Sequence, residues 1–254
     1  MAPGLAGEPP PESADGWRYA SLTLINEANA IFQQLRLHSP DERENRFGEA
    51  ATLINVQPKT TANLNTASAI FSDLVVEKND DDIADASRYL MGRIEQIHRL
   101  DPDTSSAAAI YRNLLDDRPG SPFAQRALPK LALIVLFDAQ ASGNAGLAEI
   151  TSRAEKLTDS DAARDTHLML ADYYSLIGGD EANALRSLLI AESHGIKRYR
   201  FRGNVLIRIA ELSNRLGLKE QAAQYYRKFL DSYERDNRRR LVQERMRALT
   251  GSES

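Results

Sequence analysis

A small residue follows directly on an apolar one at Gly48, Gly92, Ala132, Ala171 and Ala210, and the intervals between these positions are 44, 40, 39 and 39 residues. Self-similarity at a period of roughly 20 to 50 residues marks a repeat architecture, in which each unit buries its apolar face only against its neighbours. The five positions lie in RFGEA, YLMGRI, KLALIV, MLADYY and RIAELS, all with helical patterning. A chain of 254 residues therefore reads as about five such units rather than as one or two unrelated domains.

A second register follows the first. Ala67 precedes Phe71 by four positions, and the same spacing joins Ala107 to Tyr111, Ala148 to Ser152, Ala184 to Leu188 and Ala222 to Tyr226. Four residues is about one helical turn, so each pair lies on one face, the small member admitting a neighbour and the large one filling the space beside it. Only Ser152 departs in type. Turn signals stand between the registers: Gln57-Pro58, Asp101-Pro102-Asp103, Ser142-Gly143-Asn144, Gly178-Gly179-Asp180 and Leu216-Gly217. Gly supplies the left-handed conformation that ends a helix, and Asp or Asn caps the next one. The unit is helix, short turn, helix. Composition agrees, since 34 Ala and 31 Leu stand against 6 Val, a balance that excludes an all-β chain.

These positions resemble the tetratricopeptide repeat family, whose pattern sets an apolar and a small residue on a first helix, Gly at the turn, then Ala, an aromatic and another packing residue on a second. The last unit carries Leu206, Ile209, Ala210, Gly217, Ala222, Tyr226 and Phe229 in order, with Phe229 in place of the usual small residue and Glu234 in place of the usual proline. The unit before it offers Leu170, Ala171, Tyr174, Gly178, Ala184, Leu188 and Ala191; Ala107, Tyr111, Leu114 and Pro119 fit the second helix of an earlier one. The run AIYRNLLDDRPGSPFAQRALPKLA looks like the variant found in bacterial cell-envelope members of the family. The resemblance implies an all-α fold, an α-solenoid of about five antiparallel helical hairpins in a right-handed superhelix. HEAT-like repeats share a period near 40, but the Ala and Tyr positions favour the tetratricopeptide pattern. Units are expected at about 41–77, 81–118, 122–158, 163–195 and 203–236, with flanking helices at 17–37 and 237–250 in a single domain of 17–250, after an unstructured tail of 1–16.

Four of the ten prolines fall in the first eleven residues, MAPGLAGEPPP, which lack the basic start and apolar stretch of a signal peptide. Two readings stay open: a native cytosolic tail, or the mature start of an exported, periplasmic or envelope protein. No apolar run approaches the ~18 residues of a bilayer span, the longest being near Leu131 to Phe137, so no membrane-spanning segment is expected. The net charge of -4 hides a polarity: residues 195–247 hold 15 basic and 6 acidic side chains, while Asp80, Asp81, Asp82 and Asp85 mark an acidic pole. Acidic residues suit a helix start, where the dipole favours them.

Catalytic and metal-binding constellations are not found. No cysteine is present; His38, His98, His167 and His194 form no HExxH, and Glu95 with His98 is only half of a di-iron motif that needs a second copy. No Walker, GxGxxG or G-x-S-x-G sequence occurs, so no cofactor and no enzymatic activity are expected. Nucleic acid deserves weight because KRYRFRGNVLIR (197–208) interleaves cations with Tyr199 and Phe201. The preferred reading makes it a solenoid helix whose aromatic side chains pack inward. The basic patch comprises Lys197, Arg198, Arg200, Arg202, Arg238, Arg239 and Arg240.

The family register implies that first-helix positions project into a concave groove. Carried over residue by residue, these are Asn45, Glu49, Tyr89, Arg93, Gln96, Arg126, Asp172, Asn204, Glu211 and Asn214. The full Lys/Asn set of the chaperone-tail clamp is absent, and the third unit places Leu133, Leu136 and Phe137 there instead. Such side chains can hold a peptide backbone or carboxylate. The sequence thus points to a scaffold for an unidentified protein or peptide. Alternatives are polyanion binding through residues 195–247 and a regulatory subunit of an enzyme complex.

Overall fold

The computed structural model describes residues 12–138 and 144–251. Most of the expected tail (1–11) and Ser142-Gly143 of the third turn signal lie outside the described residues. Among the described residues there are thirteen α-helices and no strand, and no helix is long and apolar enough to cross a membrane. The chain divides into two compact units, Met1–Ala127 and Leu128–Ser254.

The first unit holds α1 (Ser13–Ser21), α2 (Ile25–His38), α3 (Arg43–Leu53), α4 (Thr61–Glu77), α5 (Asp82–Arg93) closed by a π-turn (Ile94–His98), α6 (Thr104–Asp117) and the first residues of α7 (Pro122–Phe137). From α1 to α6 each helix packs on the next, and α3 also meets α1 and α5. The starts follow the chemistry of exposed backbone N–H groups: Thr60 accepts from the Asn63 N–H at 3.1 Å, Asp81 from the Ala84 N–H at 2.9 Å, and Asp103 from the Ser106 N–H at 2.9 Å. Two members of the acidic pole, Asp81 and Asp85, are engaged here. Asp81 also pairs with Arg43 at 3.1 Å, and the fully buried Asp85 faces Arg88 at 3.6 Å and Arg118 at 3.4 Å.

The reason for Gly in the first register is steric. Phe32 is fully buried. A Cβ added to Gly48 would lie 2.2–2.5 Å from three atoms of the Phe32 ring, and one added to Gly92 would lie 2.3–2.8 Å from the Tyr111 ring. Gly16 approaches the same Phe32 ring, and Trp17 meets it edge-on with centroids 4.9 Å apart. Around Phe71 the core is aliphatic, with Leu53, Ile54, Leu64, Leu74 and Ile94.

The leading segment differs from its sequence reading. Where one helix at 17–37 was expected there are two, and α1 starts at Ser13, inside the stretch read as tail. Thr23, with φ 63°, turns the chain between them. The start is fixed locally, by the Asp15 carboxylate accepting from the Glu12 backbone N–H at 3.2 Å.

The second unit holds the remainder of α7, then α8 (Asn144–Ala154), α9 (Ser160–Tyr173) closed by a second π-turn (Tyr174–Gly178), α10 (Glu181–Ser193), α11 (Tyr199–Arg215), α12 (Lys219–Ser232) and α13 (Arg239–Thr250). From α8 onward each packs on the next. Gly179 (φ 61°) and Gly217 (φ 75°) take the left-handed conformation at the turns where the sequence placed them, and Asp180 caps α10 through the Asn183 N–H at 2.9 Å. Ala171 and Ala210 are fully buried, as are Ala184, Leu188 and Ala222, with Tyr226 1% exposed.

One pair in the second register is wrong. Ala148 and Ser152 are exposed; Ile150 and Ala154, two positions later, occupy the buried face of α8. Two residues rotate a helix by roughly 200°, enough to exchange its faces. The polar Ser152 was the warning, because a buried hydroxyl needs a partner that an apolar stripe does not supply.

Candidate peptide-binding site

The first helix of each hairpin carries the residues read as groove-lining. In the first unit, Asn45 and Glu49 are buried, and Glu49 is tied up: its carboxylate accepts from Arg36 at 2.7 Å, and its carbonyl oxygen accepts from the Asn29 amide at 3.2 Å. Arg36 and Glu49 line a cleft of about 560 Å³ with Gln33, Leu37 and Pro40.

The other four first-unit residues gather around an aromatic floor. Tyr89 lies between Tyr111 and Phe123, each 6.2 Å away between ring centroids. Arg93 donates to Gln96 Oε1 at 2.9 Å, and the buried Tyr111 hydroxyl donates to the same oxygen at 3.1 Å. The exposed Arg126 guanidinium sits 5.8 Å from the centre of the Phe123 ring. Burial raises the pKa of the Tyr89 phenol, opposed by the positive charges of Arg93 and Arg126. Among the described residues, neither arginine pairs with a carboxylate.

The π-turn that brings Gln96 into place also carries the half-motif Glu95 and His98. Glu95 is spent on Arg99, from which its carboxylate accepts at 2.5 and 2.8 Å. His98 Nδ1 lies 2.7 Å from Lys59 Nζ, an arrangement in which a neutral imidazole accepts from the ammonium. Burial, then the charges of Lys59 and Arg93, push His98 down to about 4. The unfolded chain, with an ordinary pKa near ~6.5, therefore takes up this proton first. Stability from His98 is full above pH ~6.5 and is lost as pH falls toward 4. His98→Gln, which keeps an acceptor but does not titrate, is expected to flatten the decline of Tm across that window. Identical slopes for the two proteins would contradict this.

In the second unit the expected residues line clefts, and the two acids among them are paired. Asp172 pairs with Arg208 at 2.6 Å, and Glu211 with Arg245. These two acids share a cleft of about 430 Å³ with Ser175, Leu176 and Arg215. Glu211 and the exposed Asn214 line another of about 390 Å³ beside Tyr226 and Leu249. Asn204 is exposed and accepts from Arg238. In the third repeat of the sequence reading (122–158), Leu136 is buried, whereas Leu133 and Phe137 are exposed.

The basic patch is mostly paired. Lys197 meets Asp161 at 3.0 Å, Arg202 meets Glu192 at 3.7 Å, Arg238 meets Asp236 at 2.8 Å and Arg240 meets Glu244 at 3.0 Å. Arg239 donates to the Leu230 carbonyl oxygen. Lys197 and the exposed Arg198 border a cleft of about 470 Å³ that reaches Asp172 and Phe201. The expectation that Tyr199 and Phe201 pack inward fails: they are 61% and 40% exposed. Both sit in the first turn of α11, ahead of Gly203, Val205 and Leu206, where its buried face begins.

No family model and no curated protein matches the sequence. Among solved structures, the chain is similar to PilW, described as a widely conserved type IV pilus biogenesis factor, at 13% identity and a TM-score of 0.57 over 91% of this chain and 96% of that one. It is also similar to PilF of Pseudomonas aeruginosa, at 13% identity and a TM-score of 0.54 over 92% and 95% of the two chains. A tetratricopeptide repeat protein from Parabacteroides merdae aligns at 12% identity and a TM-score of 0.47, covering 94% of this chain and 82% of that one. The fold is thus a tetratricopeptide-like, all-α solenoid of helical hairpins, as the repeat spacing and the Ala-x3-Tyr register led us to expect.

Proposed function

We propose that this protein is a non-enzymatic adaptor that binds a protein segment through the first-helix face of its first unit, with Arg93 and Arg126 holding a carboxylate. One observation carries the reading: Arg93, bonded to the Gln96 amide that also holds Tyr111, and Arg126, set against the Phe123 ring, border the aromatic cluster around Tyr89 and have no carboxylate partner among the described residues. Arg93 and Arg126 thus keep unspent charge and fork-shaped donors suited to a carboxylate. Gln96, already accepting from Arg93 and Tyr111, positions the guanidinium. The aromatic floor suits an apolar side chain next to that carboxylate. A bacterial cell-envelope setting belongs to the same proposal, in keeping with a fold neighbour described as a pilus biogenesis factor.

The test is a display selection of random peptides with free carboxyl termini on the full chain. Selected peptides are expected to lose at least about tenfold in affinity on amidation of the terminus, and again with Arg126→Glu, whose exposed site leaves the fold intact. Peptides that bind equally well when amidated, and equally well to Arg126→Glu, would sink the proposal, as would the recovery of none.

A further inference from the structure

The stretch of cations and aromatics at the start of α11 is not used by the peptide reading, and its geometry is specific. Tyr199 is held on one side only. Its ring lies against Tyr233 with centroids 4.3 Å apart, its hydroxyl donates to the Ser232 carbonyl oxygen at 2.9 Å, and the Tyr233 hydroxyl donates back to the Tyr199 carbonyl oxygen at 2.6 Å. Behind it Phe229 stacks on Tyr233 at 4.9 Å. A ring so anchored and yet 61% exposed is a rigid, open platform.

Beside that platform is a cleft of about 550 Å³ between the first turn of α11 and the segment that leads into α13. Arg200, Arg235 and Arg238 line it, with the Asn204 and Asn237 amides and one acid, Asp236. Asp236 is engaged by the Arg238 guanidinium at 2.8 Å. Arg200 and Arg235 are exposed and have no carboxylate in salt-bridge contact among the described residues. Three cations against one anion leave the cleft at +2.

We propose that this cleft binds single-stranded nucleic acid, with Arg200 and Arg235 on backbone phosphates and a base stacked on Tyr199. A run of acidic side chains would engage the arginines and add nothing that stacks on the ring. A nucleotide strand uses both, since every base has a face to stack and every linkage a phosphate for a guanidinium.

Fluorescence anisotropy with a labelled oligothymidylate of about twelve nucleotides tests the proposal on the full chain. Binding is expected at about 50 mM salt and should weaken several-fold by about 200 mM, as counterion release requires. The double variant Arg200→Glu/Arg235→Glu should lose at least about tenfold and show a shallower salt dependence. Tyr199→Ala should lose about tenfold with the salt dependence unchanged, and Tyr199→Phe should retain most of the affinity. All three positions are solvent-exposed, and far-UV circular dichroism checks the fold. No binding at the lower salt would overturn the proposal. So would affinity that survives the double arginine variant, or Tyr199→Ala binding like wild type while polyglutamate displaces the oligonucleotide as well as unlabelled strand does; that last pattern would mark an acidic-peptide surface.

Discussion

Gly48→Ala is expected to destabilise the first unit by about 2 kcal/mol, although the same exchange in the middle of an exposed helix would ordinarily gain about 1 kcal/mol from helix propensity. The sign is decided by space. The new methyl group would sit 2.2–2.5 Å from three Phe32 ring atoms, far inside van der Waals contact. The ring has no way to retreat, because Gly16 approaches it from α1, Trp17 meets its edge, and it is fully buried. Overpacking of this kind costs typically about 1–3 kcal/mol, and the fixed ring puts Gly48 at the upper end before the propensity gain is subtracted. Thermal unfolding should show a fall of about 5–8 °C. Shrinking the obstacle should restore part of the loss, so Gly48→Ala/Phe32→Leu is expected to be more stable than the sum of the two single variants predicts. Gly120→Ala, where an added Cβ meets nothing within 4 Å, serves as the neutral control. A Gly48→Ala protein as stable as wild type would show that Phe32 does not pack as described.

Tyr111→Ala should have the larger effect, about 3–5 kcal/mol, the range for deleting a buried aromatic ring. Tyr111 is fully buried, fills the space left open by Gly92, packs on Tyr89 and donates to Gln96. Its removal therefore leaves a cavity and also releases the amide that positions Arg93. Tyr111→Phe keeps the ring and loses only the hydroxyl bond, worth about 1 kcal/mol, because Gln96 Oε1 still accepts from Arg93. Denaturant unfolding separates the two variants. Peptide binding at the Tyr89 cluster should weaken with Tyr111→Ala in the folded fraction and hold with Tyr111→Phe. Equal losses of stability in the two would place the contribution in the hydroxyl rather than in the ring.

Much of this architecture is legible in the residues because its rules are local. Asp103 and Asp180 cap helices where their spacing to a following helical stretch requires it, and Gly179 and Gly217 take the left-handed conformation where a helix must stop. Three features escaped. The register of α8 was placed two residues early because Ala148 and Ser152 keep the spacing of their counterparts while facing solvent. The start of α1 was taken for tail because a short capped turn is a weak signal beside a proline-rich stretch. The exposure of Tyr199 was missed because an aromatic residue at a helical spacing reads as core until the neighbouring turn shows which face is covered.

The candidate site divides along the same line. Tyr89, Arg93, Gln96 and Arg126 could be nominated because the repeats resemble a family whose register implies which first-helix positions face the groove. Which of the nominated charges remain available could not be, because neutralisation depends on partners from other helices: Arg208 is 36 positions from Asp172, and Arg36 reaches Glu49 from another helix. The sequence by itself therefore determined the helical-hairpin unit, the turns at Gly179 and Gly217 and the packing stripe outside α8, all set by interactions within one or two helical turns. Only the tertiary structure decided that Arg93 and Arg126 lack a carboxylate partner among the described residues while Asp172 and Glu211 in the second unit are paired, and that the ring of Tyr199 faces solvent. Those outcomes turn on which side chains long-range packing brings within bonding distance.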